Sequence, residues 1–354
     1  MSIKSLKALF RPELDELSAY RVPPAPPAVK LDANESPFPL PAEARARIAA
    51  VLHSTELHRY PDGRAIKLRE ALARGLGGSA DEYVIGAGSD ELIALMASAM
   101  WQPRAGAERP AVVFPEPTFV MYRITSRAHG WDPVGVPLDD AWDLDADAMA
   151  ATLERTQPNV VYYASPNNPT GNCFSRNKIE RLVESFPDTL HVIDEAYGAY
   201  SEQSFATFAE RHPQCALMGT LSKVGFAGIR VGWVRIDEAL SRELEKVRQP
   251  FNLNTGSQEI ATLALTDLAP VLEEHITVIV AERERLAAEL DRHQTLRCFP
   301  SDANFLLVRY EGDVTGLCSA LLDREIAVRQ FSNVNARLQT CIRITIGTPE
   351  ENQR

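Results

Sequence analysis

Short runs rich in β-branched and aromatic residues alternate with longer segments of helical period through the middle of the chain. "EYVIGAG", "PAVVFPEP", "VVYYAS", "LHVIDEA", "CALMGTLS" and "RVGWVRI" are apolar on both faces and bounded by turn residues, so they predict strands. "SDELIALMASAMW" repeats with helical period and predicts the helix after the first strand, with Ser89 as its N-cap. Strands buried on two sides and separated by helices predict an α/β fold with a mostly parallel sheet covered on both faces. Past residue 255 two long helical patterns, "GSQEIATLALTDL" and "VLEEHITVIVAERERLAAELDRH", precede the shorter strands "NFLLVRY", "IAVRQF" and "CIRITIG" and a helix around "VTGLCSALLDRE". A second, smaller α+β unit is expected there. The chain thus divides into an N-terminal arm (1–30), a large domain (31–254) and a small C-terminal domain (255–354) joined by part of the N-terminal segment. Four prolines in "YRVPPAPPAVK" favour an extended arm. Thr348, Pro349 and two glutamates signal a final helix start.

Composition narrows the function. With 354 residues, 45% of them hydrophobic, the chain can bury a large core. A net charge of -11 without any Lys/Arg cluster argues against nucleic acid. No apolar run reaches the length of a bilayer span, and "MSIKSLKALF" lacks the apolar core of a signal peptide, so no membrane partner is expected. Five scattered cysteines with no CxxC pair predict a reducing, cytoplasmic compartment. The seven histidines include no HxxxH or HExxH, so no metal site is expected.

Four segments place polar residues at predicted strand ends, where open α/β sheets hold ligands. "GAGSDE" (86–91) is a glycine turn entering a helix, whose free N–H groups suit a phosphate; as a dinucleotide fingerprint it fails, because Glu91 stands where the third glycine would be. "SPNNPTG" (165–171) reads equally well as a rigid turn. In "VIDEAYG" (192–198) Asp194 follows a buried run, where a carboxylate is costly without a cation, although a capping role is common. In "TLSKVGFAGIR" (220–230) Lys223 sits in apolar surroundings that favour a neutral, nucleophilic amine; the ordinary alternative is a packed stem with its head in water.

In this order the four segments resemble the fold-type I pyridoxal-phosphate-dependent aminotransferases, and the resemblance covers nearly the whole chain. It implies a large domain with a mostly parallel sheet flanked by helices, which binds the cofactor, and a smaller α+β domain. It also implies roles. Lys223 would hold pyridoxal phosphate covalently, and Asp194 would keep the ring nitrogen protonated. Asn168 and Tyr197 would hydrogen-bond the 3-oxygen, and Phe119 would stack on the ring. Ser89, Asp90, Ser222 and Arg230 would bind the phosphate. Lys223 and Arg230 stand seven positions apart, one fewer than is common, as in the shorter loops of one branch, and Phe119 replaces a more frequent tyrosine.

"LSAYRVP", "KLDANESPFPLP", "HRYPDG" and "VRQF…CIRITIGTPEEN" resemble the histidinol-phosphate aminotransferases in particular. That implies transamination between L-histidinol phosphate and 2-oxoglutarate. Tyr20, Asn34, Arg329 and Arg343 would bind substrate, and Tyr60 would reach the partner subunit's cofactor phosphate in a homodimer. An aromatic amino-acid aminotransferase and a pyridoxal-phosphate-dependent decarboxylase of a phospho-amino acid are competing readings on the same scaffold. A non-catalytic sensor domain of a transcription regulator would carry a DNA-binding module, for which the arm is too short and the chain too acidic.

Overall fold

The computed structural model describes residues 6–12, 14, 27–104, 106–331 and 335–354. In chain order its strands are β1 (Val29–Leu31), β2 (Tyr83–Gly86), β3 (Ala111–Glu116), β4 (Asp132–Pro137), β5 (Val160–Ala164), β6 (Leu190–Asp194), β7 (Cys215–Thr220), β8 (Gly232–Arg235), β9 (Leu296–Cys298), β10 (Phe305–Tyr310), β11 (Ile326–Gln330) and β12 (Cys341–Thr345). Among the described residues they form a seven-stranded sheet, ordered β2-β8-β7-β6-β5-β3-β4, and a five-stranded sheet, ordered β1-β11-β12-β10-β9.

The large sheet is parallel except at β8, which runs against both β2 and β7. Side chains alternate across it. Val161, Tyr163, Ile193 and Leu217 enter one core, while Val160, Tyr162, Val192 and Met218 enter the core on the opposite face. Every residue of β5, β6 and β7 is buried, as the continuous apolar runs predict. β4, "DPVGVP", was not legible as a strand. It is the edge strand beside β3, a place where prolines that cannot donate to a ladder are tolerated.

The helix Thr255–Leu265 packs Ile260, Ala261 and Ala264 with Leu68 and Leu72 of the helix Ile66–Leu76. The long helix Ala269–Leu290 joins the small sheet through Ile279 and Leu286. Tyr197 and Tyr200, from the loop after β6, are buried in this same cluster beside Phe305 and Ile342, so the small sheet packs directly on the loop that leaves Asp194. β1 pairs in parallel with β11, carrying the N-terminal segment into the C-terminal sheet. The last helix, Pro349–Gln353, starts with the expected Thr348 cap, closed by a reciprocal bond from the Thr348 N–H to the Glu351 carboxylate. Ser89 does not cap its helix. Gly88, at φ 87, holds the N-cap position, and Ser89 is the first helical residue. A left-handed backbone at that point favours glycine over serine. No helix among the described residues is long and apolar enough to cross a membrane, and none of their His, Cys, Asp and Glu side chains form a group that could hold a metal ion.

Candidate active site

The carboxyl ends of β5, β6 and β7 open into a cavity of about 280 Å³. Asn34, Ser89, Asp90, Phe119, Asn168, Asp194, Tyr197, Ser222, Lys223, Arg230, Arg329 and Arg343 all line it. Residues from both sheets, far apart in sequence, therefore meet at one place. Tyr20 lies outside the described residues.

Asp194 ends β6 at the cavity floor and is buried. Its Oδ2 accepts a 2.6 Å hydrogen bond from the Tyr122 hydroxyl, and its Oδ1 accepts one of 3.0 Å from the Ala196 N–H. No ion pair reaches it among the described residues. Burial pushes its carboxyl up to about 6, against the pull of those two donors. Tyr122 itself is fully buried, with its ring stacked on Tyr162 at 4.5 Å and an interplanar angle of 3°. Phe119, half-buried, meets the edge of Tyr122 at 5.6 Å.

The glycine turn after β2 is built for close approach. A side chain at Gly232 would put its Cβ 2.6 Å from the Ser89 nitrogen, and one at Gly88 would meet the Arg230 guanidinium at 2.5 Å. Glu91 accepts a hydrogen bond from the Ala87 N–H and another, at 2.8 Å, from Asn252, which pins the turn. Arg230, at φ 55, lays its guanidinium 3.2 Å from Asp90 Oδ2 and 3.5 Å from Ser222 Oγ. Helix N–H groups, a hydroxyl and a guanidinium thus converge on one spot, a donor set suited to a phosphate monoester.

Lys223 is half-buried, more open than its apolar neighbours suggest, because its side chain lies on the cavity wall. Its Nζ stands 5.7 Å from the centre of the Tyr197 ring. The turn that carries it, Leu221–Lys223, is capped by the Thr220 hydroxyl, which accepts from the Ser222 N–H at 3.0 Å. Tyr200 donates to the Lys223 carbonyl at 2.6 Å. The turn before the lysine and the lysine's carbonyl are therefore fixed while its amine lines the cavity.

The opposite wall comes from the small sheet. Arg343 of β12 is buried and donates to Asn168 Oδ1 and to the Asp32 carbonyl, each at 2.6 Å. Arg329 of β11 is its cross-strand neighbour and is exposed while lining the cavity. Asn34, at φ 56, a left-handed backbone that asparagine tolerates, donates to the Tyr197 hydroxyl at 2.9 Å. Its side-chain carbonyl accepts from Thr345 at 3.1 Å. Tyr60 does not line this cavity. It is 81% exposed and stacked on Phe251 at 4.6 Å.

Tyr122, Thr220 and Thr345 were missed by reading the sequence. Tyr122 lies within "FVMYRITSRA", where it reads as one more apolar position of the helix Met121–Ala128; only the cavity reveals that its hydroxyl is aimed at Asp194. Thr220 carried a signal, as the first hydroxyl of "TLSK".

Residues 26–354 match the family model for aminotransferases of class I and II. The chain is 39% identical to the histidinol-phosphate aminotransferase of Chromobacterium violaceum over 98% of its own length and 96% of that protein. It is 38% identical to that of Aquifex aeolicus, with 96% and 94% covered. Its structure is similar to the crystal structure of histidinol-phosphate aminotransferase from Sinorhizobium meliloti in complex with pyridoxal-5'-phosphate, with a TM-score of 0.85, 26% identity, and 98% and 95% of the two chains covered.

Proposed function

The chain belongs to the class I and II aminotransferase family, and from that premise we propose that it is a pyridoxal-phosphate-dependent enzyme that transfers an amino group between L-histidinol phosphate and 2-oxoglutarate, in histidine biosynthesis. The observation that carries this reading is the buried Asp194, a carboxyl with no ion pair among the described residues, set between an amine and a cradle of anion donors. A phosphorylated pyridine fits that arrangement at both ends. Its ring nitrogen would lie at Asp194 and its phosphate at Ser89, Asp90, Ser222 and Arg230. When bound, the cofactor supplies an electrophilic carbon for the substrate amine and a ring that accepts electrons as the Cα proton leaves.

The protein's own groups divide the remaining work. Lys223 would anchor the cofactor, and its amine would serve as the base that takes the Cα proton and later returns it. Asp194 would hold a proton on the ring nitrogen. Asn168 has its carbonyl occupied by Arg343, which leaves its amide N–H free to donate to the cofactor's 3-oxygen. Tyr197 accepts from Asn34, so its own proton is directed elsewhere, toward the same oxygen. Phe119 would stack on the ring. Arg329 and Arg343, with Asn34 and Tyr20, take the anionic end of the substrate, a phosphate in one half-reaction and a carboxylate in the other. The large sheet forms a cofactor-binding domain, and the small sheet a second domain that β1 joins.

A homodimer completes the site in this reading. Tyr60, exposed and away from its own cavity, would reach the phosphate held by the partner subunit. The exposed Leu57, Tyr60 and Phe251 supply an apolar surface for that contact. The compartment is the cytoplasm. The aromatic aminotransferase and decarboxylase readings are not favoured, because the relatives named for histidinol phosphate match over almost their full length. Reducing the holoenzyme with borohydride should fix the cofactor on Lys223 alone. The kcat/KM for histidinol phosphate should exceed that for phenylalanine, with no CO2 released from threonine phosphate. Labelling at another lysine would sink the assignment.

A further inference from the structure

Asp194 is held by a residue that nothing so far assigns to the reaction. We propose that Tyr122 is a positioning residue for this transamination: its phenol fixes the Asp194 carboxylate against the cofactor and, as a donor, favours the anion. The inference rests on the reading of the cavity given above. Its geometry leaves little freedom. The ring of Tyr122 is clamped between Tyr162, stacked at 4.5 Å, the edge contact of Phe119 at 5.6 Å, and Phe114 at 6.2 Å. The hydroxyl therefore points one way, into a 2.6 Å bond with Asp194 Oδ2. With Oδ1 engaged by the Ala196 N–H, each oxygen has one donor and keeps a lone pair, and neither can rotate.

The titratable groups around Asp194 do not balance each other. The phenols of Tyr122 and Tyr162 are neutral, and burial pushes both to deprotonate only at far higher pH. The carboxylates of Asp90 and of Glu195, itself pushed up to about 7 by burial, oppose a charge on Asp194, and Lys223 favours one. Burial outweighs Lys223, so Asp194 already stands at about 6 with the phenol in place. Take the phenol proton away and the carboxyl moves toward neutrality at working pH. A neutral acid does not hold a proton on the ring nitrogen.

The test is Tyr122→Phe in the holoenzyme, which keeps the ring and its stack and removes one hydrogen bond. The acid limb of the kcat profile should move up by about one pH unit. The Kd for pyridoxal phosphate, read from the bound chromophore, should rise about tenfold, and the KM for histidinol phosphate should barely change. Tyr162→Phe removes a phenol from the same stack without touching an Asp194 oxygen, and should leave limb and Kd alone. A Tyr122→Phe enzyme with the wild-type limb and the wild-type Kd overturns the proposal, and so does a Tyr162→Phe enzyme that shifts as far. Borohydride labelling of Lys223 in the Tyr122→Phe enzyme separates the two levels: labelled lysine with an unmoved limb sinks only the role of Tyr122, whereas an unlabelled lysine in wild type sinks the reading of the site.

Discussion

The two ends of the seven-stranded sheet treat buried charge in opposite ways. At the end where β8 finishes, Arg235 is buried between two carboxylates, Glu82 at 2.9 Å and Glu210 at 3.0 Å. At the other end, where β6 finishes, Asp194 is buried with neutral donors and no ion pair among the described residues. Removing a charge from water is costly unless a partner compensates it. The first end is therefore arranged for the folded state alone. The second leaves a charge without an ion pair among the described residues, which is tolerable if, as proposed, a cationic ring binds there. Stability and function are thus written at opposite edges of one set of strands, and substitutions should separate them.

The largest effect is expected at Lys223. Lys223→Ala should lower kcat on the order of 10⁴-fold, the upper range for loss of a general base. Unfolding of the apoprotein should be unchanged, since the amine lies on a cavity wall. A loss of stability as large as the loss of rate would break the contrast.

Asp194→Asn comes next and should split the two properties by sign. Its kcat should fall roughly 10²- to 10³-fold, in the range for removing one electrostatic group from an active site. The apoprotein should gain stability at pH 8. The folded carboxyl, raised from 3.8 to about 6, binds its proton more tightly than the unfolded one, so stability falls as pH rises through that window and the full penalty stands above it. The amide has no such penalty. Its Tm should exceed that of wild type by roughly 2–4 °C at pH 8, and the gain should vanish near pH 4. Calorimetry of the two apoproteins at both pH values checks this.

At the opposite end, Arg235→Met should do the reverse. It leaves Glu82 and Glu210 facing one another and should cost on the order of 3 kcal/mol of stability. The folded fraction should bind pyridoxal phosphate with unchanged Kd. A weakened Kd would mean that the two ends are coupled through β8.

How much of this was legible beforehand follows from the same contrast. The parallel strands announced themselves because both faces are apolar, and the chemistry at their ends stood out as polar residues interrupting those runs. The site's supports did not stand out. Tyr122 shares its helical face with core residues, and an aromatic there is ordinary until the carboxylate beneath it is seen. Ser89 looked like a cap because serine usually is one, whereas the turn needs the left-handed backbone of Gly88. Lys223 looked buried because its neighbours in sequence are apolar, but a residue on a cavity wall takes its exposure from the space in front of it. Arg235 gave no sign of its importance, since its two carboxylate partners come from distant segments.

The smallest predicted effect sharpens the functional end. Tyr60→Phe should weaken cofactor binding by about one to two powers of ten, the worth of one hydrogen bond to a charged phosphate. Mixing Tyr60→Phe chains with Lys223→Ala chains locates that bond. If Tyr60 acts across the interface, the mixed dimer has one site that keeps both Lys223 and a partner's Tyr60, with normal Kd. Weak binding at every Lys223-bearing site would place Tyr60 in its own chain and remove the partner from the cavity.

The pairing of β1 with β11 bears on when the protein becomes an enzyme during its own synthesis. Val29, Lys30 and Leu31 align with Ile326, Ala327 and Val328, and three residues after β1 Asn34 bonds to Tyr197 and to Thr345. The strand partners of the N-terminal segment, Ile326–Val328, are made long after it. The large sheet can assemble as its strands emerge, since most are neighbours in sequence, but β1 lacks its strand partner and Asn34 its bonds with Thr345 until β11 and β12 are released. A nascent chain therefore presents Asp194 and Lys223 early while the wall that orients Tyr197 is still missing. Contacts of such long sequence separation form late and slowly, so catalytic competence waits for β11 and β12 rather than arriving with the large sheet.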